Sequence, residues 1–144
     1  MRTILGVLLV ALCAYSCVGS DPALEPPAAS QGIDATLAGI STADGIQRRE
    51  AQALTEAYFE AFLSGCGVAE GPTLRDGVWR SKARVGHAGE LLPGAIEVNA
   101  KTGGIGYPGC PILQTVEEFR SALQAARREP QQVLPCWARH RDAR

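Results

Sequence analysis

Residues 96–105, IEVNAKTGGI, decide the fold that this sequence predicts. Apolar and polar residues alternate at the start of the stretch, which is typical of a strand with one buried face. This alternation places Ile96 and Val98 in the core. Gly103 then supplies the positive φ that a tight turn needs, and the chain leaves the turn through a second apolar residue, Ile105. We therefore interpret the stretch as a β-hairpin.

A dinucleotide-binding loop is the alternative interpretation of this region, because Gly104-x-Gly106-x-x-Gly109 has the required spacing. Such a loop turns a strand directly into a helix whose N-terminal amides hold a pyrophosphate. Here Pro108 lies among the glycines, and the next helical pattern starts only after Thr115. The hairpin explains more of the residues, so we assign no cofactor.

Residues 77–85 also alternate, with apolar side chains on one side and three cations on the other. This period of two predicts a strand in which Trp79 lies in the core, on the same face as Ala83 and Val85. The Gly-containing segment 86–94 that follows is interpreted as a loop.

Two amphipathic helices flank these strands. In the first helix, Leu54, Tyr58 and Phe62 recur at helical spacing and form an apolar stripe. We expect this helix to begin at a capping box formed by Asp44 and Gln47.

The second helix follows a T-x-x-E capping box at Thr115 and Glu118. Phe119 and Leu123 form its apolar side, and Pro130 ends it. The element order is therefore helix, strand, strand, short strand, helix. This order predicts an α+β fold, with a small antiparallel sheet of about three strands and both helices packed on it.

The domain organisation follows from composition. Residues 1–20 form a signal peptide, with one cation, a short apolar run and small residues before the next charge. The proline-rich start of residues 21–43 indicates a flexible tether, residues 44–136 form a single α+β domain, and residues 137–144 form a basic tail.

The export signal allows two processing routes. Val18-Gly19-Ser20 is an acceptable cleavage site, which would release a secreted protein starting at Asp21. Ala14-Tyr15-Ser16-Cys17 resembles the lipobox of bacterial lipoproteins, whose cysteine is lipidated, and this would place the protein in the periplasm or outer envelope. A membrane is expected as a partner only through such a lipid anchor.

Either route leaves Cys66, Cys110 and Cys136 in the mature chain. We expect a disulfide between Cys110 and Cys136, because the second helix and the extended return after it cover similar distances in opposite directions. Cys66 then remains a free thiol. A zinc site made of these cysteines and His140 is the alternative, but the sequence has no C-x-x-C pair, so we assign no metal.

The charges argue against a nucleic-acid partner. The chain carries 14 Lys and Arg against 15 Asp and Glu, for a net charge of −1. Positive charge is concentrated only after residue 126, where five arginines face one Glu and one Asp. This end of the chain is typical of a solvated surface, and an anion-binding patch is the alternative interpretation.

A resemblance to known families rests on three motifs in order: a helix over 51–64, the strand DGVWRSKARV at 76–85 and the hairpin at 96–105. Over residues 50–107 the chain resembles PepSY-like domains and the cystatin-like immunity proteins of the YbbC/YhhH type, which have an NTF2-like fold. The Asp usual before the Thr-Gly turn is Asn99 here. The resemblance implies an exported domain that binds or inhibits a protein or peptide partner in the cell envelope, and it implies no catalytic residues.

Two other functions are compatible with the sequence. His87 and Glu90 share one loop and could act as an acid and base in a small secreted hydrolase. No nucleophile or second carboxylate is placed beside them by the sequence, so we assign no catalytic residue. The third function is a passive structural component of the envelope.

The processing route can be tested by measuring the mass of the mature N-terminus. A chain that begins at Cys17 with added acyl mass indicates lipidation, whereas a chain that begins at Asp21 indicates secretion. If Cys17 is lipidated, Cys17→Ser shifts the protein from the membrane fraction to the soluble fraction. A Cys17→Ser protein that stays with the membranes contradicts anchoring through this residue.

Overall fold

The computed structural model describes residues 28–64, 66–86, 88–129 and 136. In this part of the chain the helices are α1 (Ala28–Gly39), α2 (Arg48–Tyr58), which continues as a π-helical turn (Phe59–Leu63), and α3 (Val116–Arg128). The strands are β1 (Gly67–Ala69), β2 (Thr73–Arg75), β3 (Val78–Ser81), β4 (Ala83–Val85), β5 (Glu90–Leu91), β6 (Ile96–Asn99), β7 (Gly103–Gly106) and β8 (Leu113–Thr115). The predicted signal peptide with Cys17, and the basic tail, lie outside the described residues.

The described strands form two antiparallel sheets, with orders β1-β4-β5 and β2-β3-β6-β7-β8. The fold is mixed α+β, but the prediction of one sheet of about three strands is wrong. The three strands that the sequence predicts are β3, β6 and β7, which are neighbours at the centre of the five-stranded sheet.

The alternating run at 77–85 belongs to both sheets, because it breaks at Lys82. Before the break β3 pairs with β6, and after it β4 pairs with β1 and β5. Ser81, Ala83 and Val85 are all buried, so the alternation continues through the break. The alternation of buried and exposed residues therefore does not reveal that the chain passes from one sheet to the other.

Two short hairpins account for other strands that the sequence analysis misses. Asp76 and Gly77 both have positive φ, at 53° and 75°, and they join β2 to β3 in a two-residue turn. The segment 86–94, expected to be a loop, contains β5, which pairs with β4. Strands of two or three residues are too short for alternation to be visible.

The main core lies between the helices and one face of the five-stranded sheet, where α2 contacts β6 and β7, and α3 contacts β7 and β8. On this inward face, Val98 lies opposite Ile105, and Ile105 lies opposite Leu113. Tyr58 packs between Phe62 and Phe119, with ring centroids 5.2 Å and 6.5 Å away. Of the predicted core residues, those that are buried are Leu54, Tyr58, Phe62, Ile96, Val98, Phe119 and Leu123.

Trp79 packs against the core but is only half-buried. Its indole Nε1–H donates a hydrogen bond of 2.9 Å to the carbonyl of Ile46. Leu74, opposite Trp79 on the short edge strand β2, is itself 54% exposed. The sheet edge therefore leaves part of the indole uncovered, and Trp79 lies at the margin of the core.

The first predicted helix begins later than expected. Its capping box is formed by Gln47 and Glu50, whose carboxylate accepts from the Gln47 backbone N–H at 2.7 Å, and not by Asp44 and Gln47. The approach to the helix is fixed by the Ile46 backbone N–H, which donates to Ala100 O at 2.7 Å. This contact with the β6–β7 turn sets the start of α2.

The second predicted helix begins where expected. Thr115 is the N-cap, and its hydroxyl accepts from the Glu118 backbone N–H at 3.1 Å. Glu118 reaches back one residue further than a capping box requires, because its carboxylate accepts from the Gln114 N–H at 2.7 Å. This bond occupies a donor on β8, the last strand of the sheet.

Helix α1 occupies part of the segment predicted to be a tether. Leu37 and Ile40 are buried against the core, and α1 contacts α2. The Arg120 guanidinium, from α3, donates to the carbonyls of Leu37, Ala38 and Ile40 at 2.6 to 3.4 Å. Cationic donors of this kind stabilise the C-terminal end of a helix.

Cys110 and Cys136 are paired in the structure, as the sequence analysis predicts, with Cα atoms 5.5 Å apart and a sequence separation of 26. Cys136 is buried, and its sulfur contacts the carbonyl of Phe62 at the end of the π-helical turn. Cys66 is an exposed free thiol. The disulfide therefore connects the chain beyond α3 to the loop between β7 and β8.

Removal of this disulfide tests its contribution to stability. We expect Cys136→Ser to lower the free energy of unfolding by about 3 to 4 kcal/mol. Without the cross-link the unfolded chain is no longer closed into a loop, so its conformational entropy rises. The measurement is a urea denaturation curve. Cys66→Ser is the matched control and should change stability by less than about 0.5 kcal/mol, because this thiol is exposed. Equal midpoints for the two variants would contradict the assigned role of the disulfide.

Candidate functional site

The face of the five-stranded sheet opposite the helices is the surface on which a candidate site lies. Residues opposite each other in an antiparallel sheet point to the same face, so the strand register defines which side chains share it. One row across this outward face contains Thr73, Arg80, Glu97 and Gly106, and the next contains Arg75, Val78 and Asn99.

A groove with a volume of about 480 Å³ runs along this face. Its floor is the strand β7, where Gly104 and Gly106 point outward and the intervening Ile105 is buried. Because these glycines have no side chains, the backbone itself is accessible between the neighbouring strands. The walls are formed by Val78, Glu97 and Asn99 on one side and by Ile112 and Gln114 on the other.

The two floor glycines differ in how closely β8 approaches them. A Cβ on Gly104 would lie 2.6 Å from the backbone carbonyl oxygen of Gln114, which is too close for any side chain. A Cβ on Gly106 would lie 3.2 Å from Cγ1 of Ile112, a side chain that is 66% exposed and can move. Only glycine fits at position 104, because the backbone of β8 lies so close, whereas Gly106 leaves room for an occupant.

The turn at one end of the groove is held by local hydrogen bonds. Asn99 Oδ1 accepts from the backbone N–H groups of Lys101 and Thr102 at 2.9 Å and 3.1 Å. Thr102 Oγ1 in turn accepts from the Gly104 N–H at 3.1 Å. These bonds fix the Asn99 and Thr102 side chains at the rim.

Glu97 is the only charged residue among the described residues that line the groove. Its Oε1 accepts from Arg80 Nε at 2.8 Å, and both side chains are substantially exposed, at 53% and 36%. An exposed ion pair of this kind contributes at most about 1 kcal/mol to stability. The remaining carboxylate oxygen of Glu97 makes no side-chain hydrogen bond within the described residues and can accept one from an occupant.

The other end of the groove is built from the loop between β7 and β8. Tyr107 and Pro108 line this end, and the Tyr107 hydroxyl donates to the carbonyl of Pro93. Burial raises the pKa of Tyr107, so its hydroxyl stays protonated and remains a donor. The Cys110 N–H donates to Tyr107 O at 3.0 Å, which places the disulfide directly behind this end.

Tyr58 supports the same loop from the core. Its hydroxyl donates to the carbonyl of Pro111 at 2.7 Å. Burial raises the pKa of Tyr58 above its usual range, and the nearby backbone amide of Tyr107 opposes part of this rise. The buried phenol therefore acts as a fixed donor that holds the groove end in place.

The glycines that suggested a dinucleotide loop belong to a strand. Gly103–Gly106 is β7, which pairs with β6 in the hairpin that the sequence predicts, and α3 begins only at Val116. Gly103 has a φ of 67°, as the turn requires. The helix N-terminus therefore does not follow these glycines directly.

Only some of the residues considered for catalysis and metal binding lie in the part of the chain that the structure describes. His87 and His140 lie outside the described residues, and Glu90 is exposed on β5. Two of the three cysteines of the alternative zinc site form the disulfide. Within the described ranges, no group of three or more His, Cys, Asp or Glu side chains could hold a metal ion.

The groove is not among the features predicted from the sequence, although the sequence does indicate its glycine floor. If Ile105 is inward, the alternation of GGIG at 103–106 places Gly104 and Gly106 outward. The wall formed by Ile112 and Gln114 cannot be predicted in this way, because β8 is a three-residue strand that follows an irregular loop.

Comparisons with protein-family models, with curated proteins and with solved structures find no match to this chain. Among the described residues, no helix is both long enough and apolar enough to cross a membrane.

Two alanine substitutions test the geometry of the groove floor. We expect Gly104→Ala to cost about 1 to 3 kcal/mol, because the new methyl group must push β8 away from β7. Gly106→Ala is the matched control and should change stability by less than about 1 kcal/mol, because the closest atom, at 3.2 Å, belongs to a movable side chain and the nearest backbone atom lies at an ordinary contact distance of 3.5 Å. Thermal or urea denaturation measures both. Equal costs would show that β8 approaches the two glycines similarly.

Proposed function

We propose that this protein is an exported domain that binds an extended segment of a protein partner in the groove over β7. The observation that carries this proposal is the glycine floor on the sheet face that the helices leave uncovered. A backbone floor between two side-chain walls accommodates another extended chain more readily than a surface filled with side chains does.

The size and chemistry of the groove support the proposal. Its volume of about 480 Å³ falls within the range of known ligand sites, which is roughly 300 to 1,000 Å³. Val78 and Ile112 supply apolar contact, and Asn99 and Gln114 supply amide groups that can bond a peptide backbone. An extended peptide needs this combination of apolar contact and backbone hydrogen bonding.

The resemblance of residues 50–107 to PepSY-like and cystatin-like immunity proteins also favours binding or inhibition of a protein partner. Export is proposed from the signal at residues 1–20, with Cys17 as the site of a lipid anchor in the cell envelope. An anchored inhibitor of this kind would act on a partner that is itself exported.

A peptide-display selection on the immobilised protein tests the proposal. The decisive variant is Ile112→Arg, which places a charge in the groove wall at a residue that is 66% exposed. We expect it to weaken binding of the selected peptides at least tenfold, or about 1.4 kcal/mol, without unfolding the protein. Val68→Arg is the matched control, because Val68 is also β-branched and 57% exposed but does not line the groove.

The outcome is read from dissociation constants together with amide chemical shifts of Gly104 and Gly106. Binding that Val68→Arg retains and Ile112→Arg loses supports the groove. If both variants bind as the unmodified protein does, or if no peptide is selected, the proposed site is wrong.

A further inference from the structure

We propose that the chain's own C-terminal segment, residues 137–144 (WARHRDAR), occupies the groove when no partner is bound. The inference concerns the same groove as the proposed function, but it does not require that a partner exist. It rests on where the segment begins, on its charge and on the lining of the groove end that it would cover.

The segment begins near the end of the groove. Cys136, the residue before it, has its Cα atom 5.5 Å from that of Cys110. Cys110 closes a turn with Tyr107, which lines the groove, and a β-turn keeps its first and fourth Cα atoms within about 7 Å. The segment is therefore attached within roughly 13 Å of the groove end, a distance that an extended chain covers in about four residues.

The charges of the segment and the groove are complementary. The segment carries Arg139, Arg141 and Arg144 against a single acidic residue, Asp142. The charged residue that lines the groove is Glu97, which has one carboxylate oxygen available beyond its bond to Arg80. A guanidinium that reaches this oxygen would extend the existing ion pair into a small network.

The near end of the groove also suits the first residue of the segment. Tyr107, Pro108 and Ile112 line this end, and a large aromatic side chain packs favourably on apolar and aromatic surface of this kind. Trp137 immediately follows the anchored cysteine, so its indole would cover this end while the later residues extend towards Glu97. The chain must pass around the loop between β7 and β8 to reach the groove.

Attachment through the disulfide makes weak docking sufficient. A tethered segment experiences an effective concentration in the millimolar range, so a millimolar intrinsic affinity is enough to populate the bound state. A partner peptide must then displace the segment. Only a partner peptide that binds more favourably than the attached segment can therefore occupy the groove.

The first test uses tryptophan fluorescence of the full chain. The chain has two tryptophans, so Trp79→Phe leaves Trp137 as the only one. We expect its emission to be shifted to shorter wavelength than that of a synthetic peptide with the sequence of residues 137–144. Glu97→Gln should move the emission towards that of the peptide. Glu70→Gln is the matched control, because it removes an equivalent exposed ion pair, with Arg84, outside the groove.

The second test uses a chain that ends at Cys136, which retains the disulfide, and a labelled peptide of residues 137–144. We expect the shortened chain to bind the peptide at least tenfold more tightly than the full chain does, because the attached segment competes. Emission from Trp137 that equals that of the free peptide overturns the proposal, and so does equal peptide binding by the two chains.

Dilution distinguishes docking of the segment within its own chain from docking on a second copy of the chain. If the Trp137 emission changes on tenfold dilution of the full chain, the segment docks on a second copy, and the intramolecular proposal is wrong. Neither test uses a partner, so a failure here leaves the peptide selection with Ile112→Arg as an independent measurement of the proposed function.

Discussion

Where β7 begins, the backbone of Gly103 approaches the first residue of α3 so closely that no side chain fits between them. A Cβ at this position would overlap the side chain of Val116 and would lie 3.2 Å from Cδ1 of Ile46. The positive φ of Gly103 ends the β6–β7 turn at the same point. The hairpin, the approach to α2 and the start of α3 therefore meet at one residue, and both helices are directed onto the same face of the sheet. The opposite face, with its glycine floor, remains open because of this arrangement.

The sequence predicts those elements in which a periodic pattern repeats often enough to be recognised. The apolar stripe of α2, the capping residue Thr115 and the alternation in β6 each identify an element that the structure contains. The shorter strands could not be found by alternation. Asp76-Gly77 is a hairpin signal between β2 and β3 that the sequence does contain. The change of sheet at Lys82 depends on which strands pair on each side of it, which no local pattern encodes.

The candidate site was less predictable than the fold, for a related reason. Alternation around Ile105 can place Gly104 and Gly106 on one face, but it does not say which face the helices cover. The wall formed by Ile112 depends on the return of the chain after β7, through a loop without periodicity. That loop is positioned by long-range contacts, namely the disulfide and the hydrogen bond from Tyr58 to the carbonyl of Pro111. Such contacts become visible only when the chain is folded.

The bond between the Glu118 carboxylate and the Gln114 N–H has a consequence for behaviour in concentrated solution. An exposed strand edge with free donors is a template on which another chain can add a strand, and repeated addition leads to aggregation. On β8 this donor is occupied by the protein's own helix. At the other edge, β2 has only three residues, ends at Arg75 and is followed directly by Asp76 in the turn. Both features disfavour the addition of a further strand at the edges of the five-stranded sheet, even though one of its faces is open.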